Sequence, residues 1–166
     1  MRTFILFRHG IAAPRDAYDD DTKRPLTEEG VVKTGRAAEG LATLGRVDRI
    51  VTSPYKRARQ TADLLLKAFK DEPGLEEHDA LSGGIDYDRI VEAMNGRQGE
   101  TLVLVGHEPD MSELTAYLLT GHTEMAVDFK KAGACRIAFD TDRAAPGAGE
   151  LIYFLPPKVL RGLREV

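Results

Sequence analysis

The stretch FILFRHG, Phe4–Gly10, joins a strand suited to burial to two cationic or potentially cationic side chains. Its first four residues are apolar without a break, which is typical of a strand covered on both faces in a parallel sheet. Arg8, His9 and a glycine, Gly10, follow directly. Ligands of such sheets bind outside the carboxyl ends of the strands. The stretch therefore predicts a buried strand over Thr3–Arg8 that ends at a functional site.

Two later segments repeat this arrangement of a strand followed by polar residues. Thr101–Val105 is apolar after its first residue, and a glycine and His107 follow it. Arg49–Thr52 is a shorter strand, after which Pro54 is predicted to open a helix that carries Arg57. Because the carboxyl ends of parallel strands share one edge of a sheet, we expect these three places to lie close together.

Predicted strands and helices alternate along the chain, which indicates an α/β fold. We expect one domain over residues 1–166, built as a three-layer α/β/α sandwich with a mostly parallel central sheet. Two antiparallel strands, 134–139 and 150–154, are expected toward the C-terminus. Thr27 caps the first helix, whose core face is predicted from its apolar residues: Val31, Val32, Ala37, Ala38, Leu41 and Leu44.

Composition narrows the class of protein. The 166 residues are 42% apolar and 30% charged, as in globular domains, and the net charge of −4 argues against binding to a nucleic-acid backbone. The one cysteine, Cys135, permits neither an internal disulfide nor a cysteine metal cage. The apolar run near the N-terminus is too short for a signal peptide or a membrane span, so we expect a cytoplasmic protein, and a monomer because no long exposed apolar run occurs.

The residues at the three strand ends suit an anion. Arg8 and Arg57 carry forked donors that match a phosphate or a carboxylate, and the starts of nearby helices add backbone N–H groups. A neutral imidazole of His9 or His107 can attack phosphorus and form a phosphohistidine. A metal site built from the histidines and Asp19–Asp21 is a weaker alternative, because arginine at the same place would repel a cation.

Three motifs in this order resemble the histidine phosphatase (phosphoglycerate-mutase-like) superfamily. They are RHG after the first strand, SPYKRARQTA at 53–62 and GHEP at 106–109. The short chain and RPLTEEG at 24–30 look most like the SixA-type phosphohistidine phosphatases. The resemblance covers roughly residues 4–118.

The resemblance implies roles for four residues. His9 would be the nucleophile that carries the phosphoryl group, Arg8 and Arg57 would bind its oxygens, and His107 would donate a hydrogen bond. It implies neither a metal nor an organic cofactor. The expected function is a phosphatase that acts on phosphohistidine in a protein. One alternative is a small-molecule phosphomonoester phosphatase of the same superfamily, which would cleave a small phosphate ester. The other is a non-catalytic module that binds phosphate or phosphoproteins.

Binding and proton-transfer residues are implied less directly. Arg24 would lie at the rim of the site, and the backbone N–H of Glu108 would add a donor. Larger members of the superfamily protonate the leaving group with a carboxylic acid, for which Glu76, Glu77, Asp79 and Glu108 are candidates without a matching pattern. A missing acid favours a labile P–N bond over an alkyl phosphate ester.

Overall fold

A computed structural model describes residues 1–84 and 86–164. In this part of the chain, six strands form one sheet. Their bounds agree to within one residue with the predicted strands, which include a short strand expected near residues 75–78. They are β1 (Arg2–Arg8), β2 (Arg49–Thr52), β3 (Gly74–Glu77), β4 (Thr101–Gly106), β5 (Ala134–Phe139) and β6 (Glu150–Leu155).

The structure has five α-helices in its described part, together with three short 3₁₀ turns at 15–17, 21–23 and 79–81. The helix after β2 begins at Lys56, so the prediction that Pro54 lies in its first turn is wrong. The last helix was not predicted. The helices are α1 (Glu28–Ala42), α2 (Lys56–Ala68), α3 (Tyr87–Asn95), α4 (Asp110–Thr120) and α5 (Pro157–Leu163).

The strand order β3-β2-β4-β1-β5-β6 confirms the predicted fold class. β3, β2, β4 and β1 pair in parallel, and β5 and β6 continue the sheet antiparallel. One core cluster joins the sheet to α3 and α4, and the other joins it to α1, α2 and α5. The sheet is therefore the middle layer of an α/β/α sandwich.

β1 is buried on both faces, as its unbroken apolar sequence predicts. Phe4 and Leu6 point into one core cluster and Ile5 and Phe7 into the other, because successive side chains of a strand alternate between its faces. All four side chains are at most 3% exposed. β1 is thus a central strand that links the two cores.

The core face of α1 is narrower than the sequence predicts. Thr27 caps the helix as expected, since its hydroxyl accepts a hydrogen bond from the N–H of Gly30 at 2.9 Å. The prediction that Val31 and Val32 face the core is wrong: they are 39% and 52% exposed. α1 packs through its later turns, where it also contacts α5.

The register of the parallel strands decides where the polar residues meet. β4 lies between β1 and β2; Arg8 pairs with Gly106, and Thr52 pairs with Val105. The three strands therefore end at nearly the same level, and the residues that follow them leave the sheet at one edge. In the described part of the chain, no helix has the length and apolarity needed to cross a membrane.

The packing of α1 on α5 gives a first testable prediction. A methyl group on Gly40 would come within 1.7 Å of the backbone oxygen of Leu160, whereas one on Gly35, in the same helix, would meet only a leucine side chain at 3.8 Å. We expect Gly40→Ala to lower the free energy of unfolding by roughly 1–3 kcal/mol, because backbone cannot yield as a side chain does.

Gly35→Ala is the matched control. It should be neutral or should stabilise the protein by up to about 1 kcal/mol, since alanine is the better helix former. Urea unfolding of both variants measures the difference. Equal stability of the two variants would contradict the close approach of α1 and α5.

Candidate active site

A cavity of about 240 Å³ opens at the edge where β1, β2 and β4 end. It brings together all six residues for which the sequence analysis predicts a role in the site. Five cationic side chains and one carboxylate line it, in a chain of net charge −4. The lining residues are Arg8, His9, Ala12, Arg15, Arg24, Arg57, His107, Glu108 and Lys131.

The regular pleat of β1 ends at Arg8, which allows Arg8 and His9 to line the same cavity. Gly10 does not supply the turn through an unusual backbone conformation, since it is not among the described glycines with positive φ. The reason for glycine at this position is space. A Cβ on Gly10 would lie 1.9 Å from the hydroxyl oxygen of Thr34 in α1.

The hydrogen bonds of His9 define which of its nitrogens is reactive. Its Nδ1 lies 2.7 Å from the carbonyl oxygen of Gly10. Because a carbonyl only accepts, Nδ1 carries the proton and donates it. Nε2 is then unprotonated, and the Nε–H of Arg57 points at it across 3.4 Å. The single lone pair of Nε2 therefore faces the cavity, where it accepts this long hydrogen bond from Arg57 in the free protein.

His107 lies beside His9, with their ring centroids 5.1 Å apart. Its Nε2 is 2.7 Å from the hydroxyl of Ser53, and its Nδ1 is buried without a partner in the described part of the chain. The ring of Tyr55 packs on the other side at 4.9 Å. His107 is thus held in place, and one of its ring nitrogens lacks a hydrogen-bonding partner.

Burial keeps both histidines neutral. It is the main cause that lowers the pKa of His9 to about 3, and the neighbouring His107 and Arg57 add to the shift. Burial and the charge of Arg57 lower the pKa of His107 to about 4. At neutral pH, His107 is therefore neutral and carries one ring N–H. This environment disfavours a protonated His107 ring in the free protein.

From the sequence, Asp21 is predicted only as part of an alternative metal site, whereas in the structure it is the partner of two arginines. Its carboxylate accepts hydrogen bonds from Arg57 at 3.0 Å and from Arg24 at 2.9 Å, and its backbone oxygen accepts another from Arg57 at 2.7 Å. Partial burial opposes ionisation, but the two guanidinium groups outweigh it and lower the pKa of this carboxyl. Asp21 therefore orients both arginines. In the sequence, the only signal for this role is the acidic loop DAYDDD at residues 16–21.

Arg8 and Arg24 are held by backbone carbonyls. Arg8 donates to the oxygen of Phe129 at 2.7 Å, while its Nε is buried and finds no partner among the described residues. Arg24 donates to the oxygen of Ala13 at 2.8 Å, and its side chain is only 13% exposed. Arg24 is thus a fixed part of the cavity wall.

Thr61 connects the loop after β1 to α2. Its hydroxyl donates to the carbonyl of Arg57, one turn earlier, at 2.8 Å. The hydroxyl oxygen of Thr61 also accepts a hydrogen bond from the backbone N–H of Gly10 at 3.1 Å. The side chain is fully buried.

The four candidate acids are placed differently. Glu108 lines the cavity, but its carboxylate accepts hydrogen bonds from the backbone N–H and the hydroxyl of Ser112. Glu76 pairs with Arg97 and Glu77 with Arg59 at other points of the surface, and Asp79 is exposed. Within residues 1–84 and 86–164, no group of three or more His, Cys, Asp and Glu side chains is arranged to hold a metal ion.

The sequence matches a family model and a relative of similar length. The model of the histidine phosphatase superfamily (branch 1) matches residues 4–82, which include Arg8, His9 and Arg57. An uncharacterized protein of Picosynechococcus sp. (strain ATCC 27264 / PCC 7002 / PR-6) is 37% identical over 167 residues, covering 93% of this chain and 96% of the relative. That match extends beyond the part covered by the family model.

Solved structures share the fold. The protein histidine phosphatase SixA complexed with tungstate is similar with a TM-score of 0.79 and 23% identity, over 95% of this chain and 99% of that chain. Phosphoglycerate mutase from Bacillus anthracis str. Sterne is similar with a TM-score of 0.70 and 16% identity, over 99% and 97%. The family model, together with the 37% identical relative, shows that the chain belongs to the histidine phosphatase superfamily, branch 1.

Proposed function

We propose that this phosphatase acts on phosphohistidine in a protein and works through a covalent phosphohistidine at His9. One observation carries the proposal: the Nδ1–H of His9 donates to the Gly10 carbonyl at 2.7 Å. This hydrogen bond leaves the Nε2 lone pair in a cavity lined by five cations. A neutral imidazole beside forked cationic donors is suited to attack a bound phosphoryl group.

In the first step, Nε2 of His9 attacks phosphorus and the bond from phosphorus to the leaving nitrogen breaks. In the transition state of this step, hydrogen-bond donors must stabilise the negative charge on the three equatorial phosphoryl oxygens. Arg8 and Arg57 bind these oxygens, and His107 and the backbone N–H of Glu108 donate further hydrogen bonds. Donors already oriented toward the developing charge lower the barrier because they do not have to reorganise.

In the second step, a water molecule attacks phosphorus, and the bond from phosphorus to Nε2 breaks. The oxygen of the water becomes part of the inorganic phosphate product, and the protons of the water stay on this phosphate or pass to the solvent. His9 returns to the neutral state, because its Nδ1 has kept its proton throughout. Two easier displacements thus replace one difficult hydrolysis.

The leaving group supports phosphohistidine as the substrate. Of the four candidate acids, only Glu108 lines the cavity, and Ser112 already occupies its carboxylate. An imidazole can leave already protonated, so it does not need an acid from the enzyme. The printed name of the SixA structure, a protein histidine phosphatase, points to the same substrate class. We propose the chemistry without a metal, since Arg8 and Arg57 supply the positive charge.

A small-molecule phosphomonoester phosphatase is the second candidate. A neighbouring cavity of about 360 Å³ begins at Arg57 and His107 and would accept a compact leaving group. Asp110 also lines it, and burial, with Glu113 and Glu108 nearby, raises the pKa of Asp110 to about 6. A carboxyl with such a pKa can donate a proton near neutral pH, which an ester would require.

Replacing the nucleophile tests the function. His9→Ala should abolish turnover of a protein phosphorylated on histidine, because Nε2 forms the covalent intermediate. In the unchanged protein, labelled substrate should give a phosphoenzyme that is acid-labile and base-stable, and the variant should give none.

His122→Ala is the matched control, since His122 is exposed and does not line the cavity; it should keep full activity. The same assays should include sugar and glycerate phosphates. Faster turnover of these esters than of the phosphohistidine protein would favour the second candidate. Undiminished activity of His9→Ala would exclude His9 as the nucleophile.

Arg57→Ala should lower kcat by about 10²-fold or more, as the loss of one charge-stabilising donor does in other enzymes. Arg59→Ala removes the same group two residues later, where it pairs with Asp63 and Glu77 outside the cavity, and should leave kcat unchanged. Steady-state kinetics, with thermal unfolding to verify folding, measures both. Equal kinetics of the two variants would remove Arg57 from the site.

The lowered pKa values of His9 and His107 predict that both rings stay neutral as the pH falls from 8 to 5. A histidine with the ordinary pKa would gain its proton in that range. Imidazole ¹⁵N NMR of the free protein measures the protonation and shows which nitrogen of His9 carries hydrogen. A protonation midpoint near 6.5 for His9, or hydrogen on Nε2, would contradict the proposed nucleophile.

A further inference from the structure

A second, larger cleft lies next to the active-site cavity. It has a volume of about 480 Å³ and runs between α1, the segment before β5 and α5. Its walls combine apolar side chains with long cationic ones. The lining residues are Arg8, Ile11, Lys33, Thr34, Lys130, Lys131, Ala132, Pro156, Pro157, Lys158 and Arg161.

The charge of this cleft is opposite to that of the whole chain. Six of its lining residues are Lys or Arg, and none of the lining residues in the described part of the chain is Asp or Glu, although the net charge is −4. Two of the cations have acidic partners, Lys33 with Glu29 and Lys130 with Asp128. A local concentration of positive charge attracts anions against the average field of the molecule.

The cleft is continuous with the active site. Arg8 and Lys131 line both the cleft and the cavity that holds His9. A ligand whose phosphoryl group lies at His9 and whose body extends past Arg8 would therefore enter the cleft. This continuity makes the cleft a candidate for the part of the substrate that surrounds the phosphoryl group.

We propose that the cleft binds an acidic segment of the phosphorylated protein that the enzyme dephosphorylates. This inference rests on the proposed function. Lys130, Lys131 and Lys158 are exposed, and the six cations of the cleft come from four separate parts of the chain. Flexible, hydrated lysines spread over an open surface suit several carboxylates at variable positions, whereas binding of one compact anion favours fixed arginine forks.

The apolar part of the cleft fits the same occupant. Ile11, Ala132, Pro156 and Pro157 line it between the cations. A peptide segment presents apolar groups between its carboxylates, while a free oligophosphate presents none. Complementary charge of this kind raises the association rate, so its loss should change kcat/KM for an acidic substrate and leave the chemical step intact.

The test reverses charges at the end of the cleft away from His9. Lys158→Glu/Arg161→Glu should lower kcat/KM about tenfold for a peptide that carries phosphohistidine between glutamates, and less at high salt. Turnover of free phosphohistidine should stay unchanged. Lys158→Gln/Arg161→Gln should give a smaller loss, and it also guards against misfolding of the reversed variant.

Lys67→Glu/Lys70→Glu is the matched control. It makes the same change in net charge at the far end of α2. Lys67 lies about 15 Å from Arg57 along the helix axis, at a rise of about 1.5 Å per residue. It should retain the kcat/KM of the unchanged protein for the acidic peptide. An equal loss in both double variants would reduce the effect to net charge and overturn the proposal.

Binding of the unphosphorylated acidic peptide, measured by fluorescence anisotropy, separates the two hypotheses. It should weaken in Lys158→Glu/Arg161→Glu even if no phosphohistidine substrate is turned over, in which case only the proposed function fails. Unchanged binding and kinetics would overturn the docking site. Inhibition by inorganic triphosphate that is lost in this variant, with peptide binding unchanged, would assign the cleft to small oligophosphates instead.

Discussion

The parallel pairing of β4 between β1 and β2 is the constraint on which the site depends. In this arrangement, Arg8 pairs with Gly106 and Thr52 with Val105, so three segments distant in sequence leave the sheet at one level. A slip of one residue would turn every side chain of a strand to the opposite face. The two cores prevent that slip, because Phe4 and Leu6 fill one core and Ile5 and Phe7 the other. Hydrophobic packing thus fixes the position of polar groups that take no part in it.

Electrostatics at this edge work against the rest of the molecule. The chain is acidic, yet five cations line the cavity and six line the adjoining cleft. Asp21 moderates this concentration of charge by pairing with Arg57 and Arg24. His9 and His107 respond to the same field, because burial and nearby cations favour their neutral forms. The environment that suits a phosphoryl group therefore also keeps Nε2 of His9, the proposed nucleophile, unprotonated.

Much of the fold could be predicted because its signals are local. The apolar runs of β1 and β4 and the bounds of α3, Tyr87–Asn95, follow from periodicity and from caps near each end. α5 could not be predicted in this way, since its seven residues contain a glycine and are too few to show a helical repeat. Its packing through Leu160 onto α1 supplies the stability that its sequence lacks.

The residues of the site likewise fall into those that local sequence predicts and those that it does not. Arg8 ends β1, and His9 and His107 directly follow β1 and β4. Arg57 lies in the first turn of the helix after β2, so the strand-end rule brings all four together. The roles of Asp21 and Gly10 depend on side chains far along the chain, at Arg57 and Thr34, and no local pattern encodes such pairs.

Thr61 has a mechanical consequence. One hydroxyl joins the backbone beside His9, the proposed nucleophile, to the backbone of Arg57, and so fixes the spacing of these two backbone segments. In the proposed reaction, Nε2 of His9 and the guanidinium of Arg57 must both be aligned with the phosphoryl group. Part of the entropy cost of this alignment is then met when the chain folds, before a phosphoryl group binds.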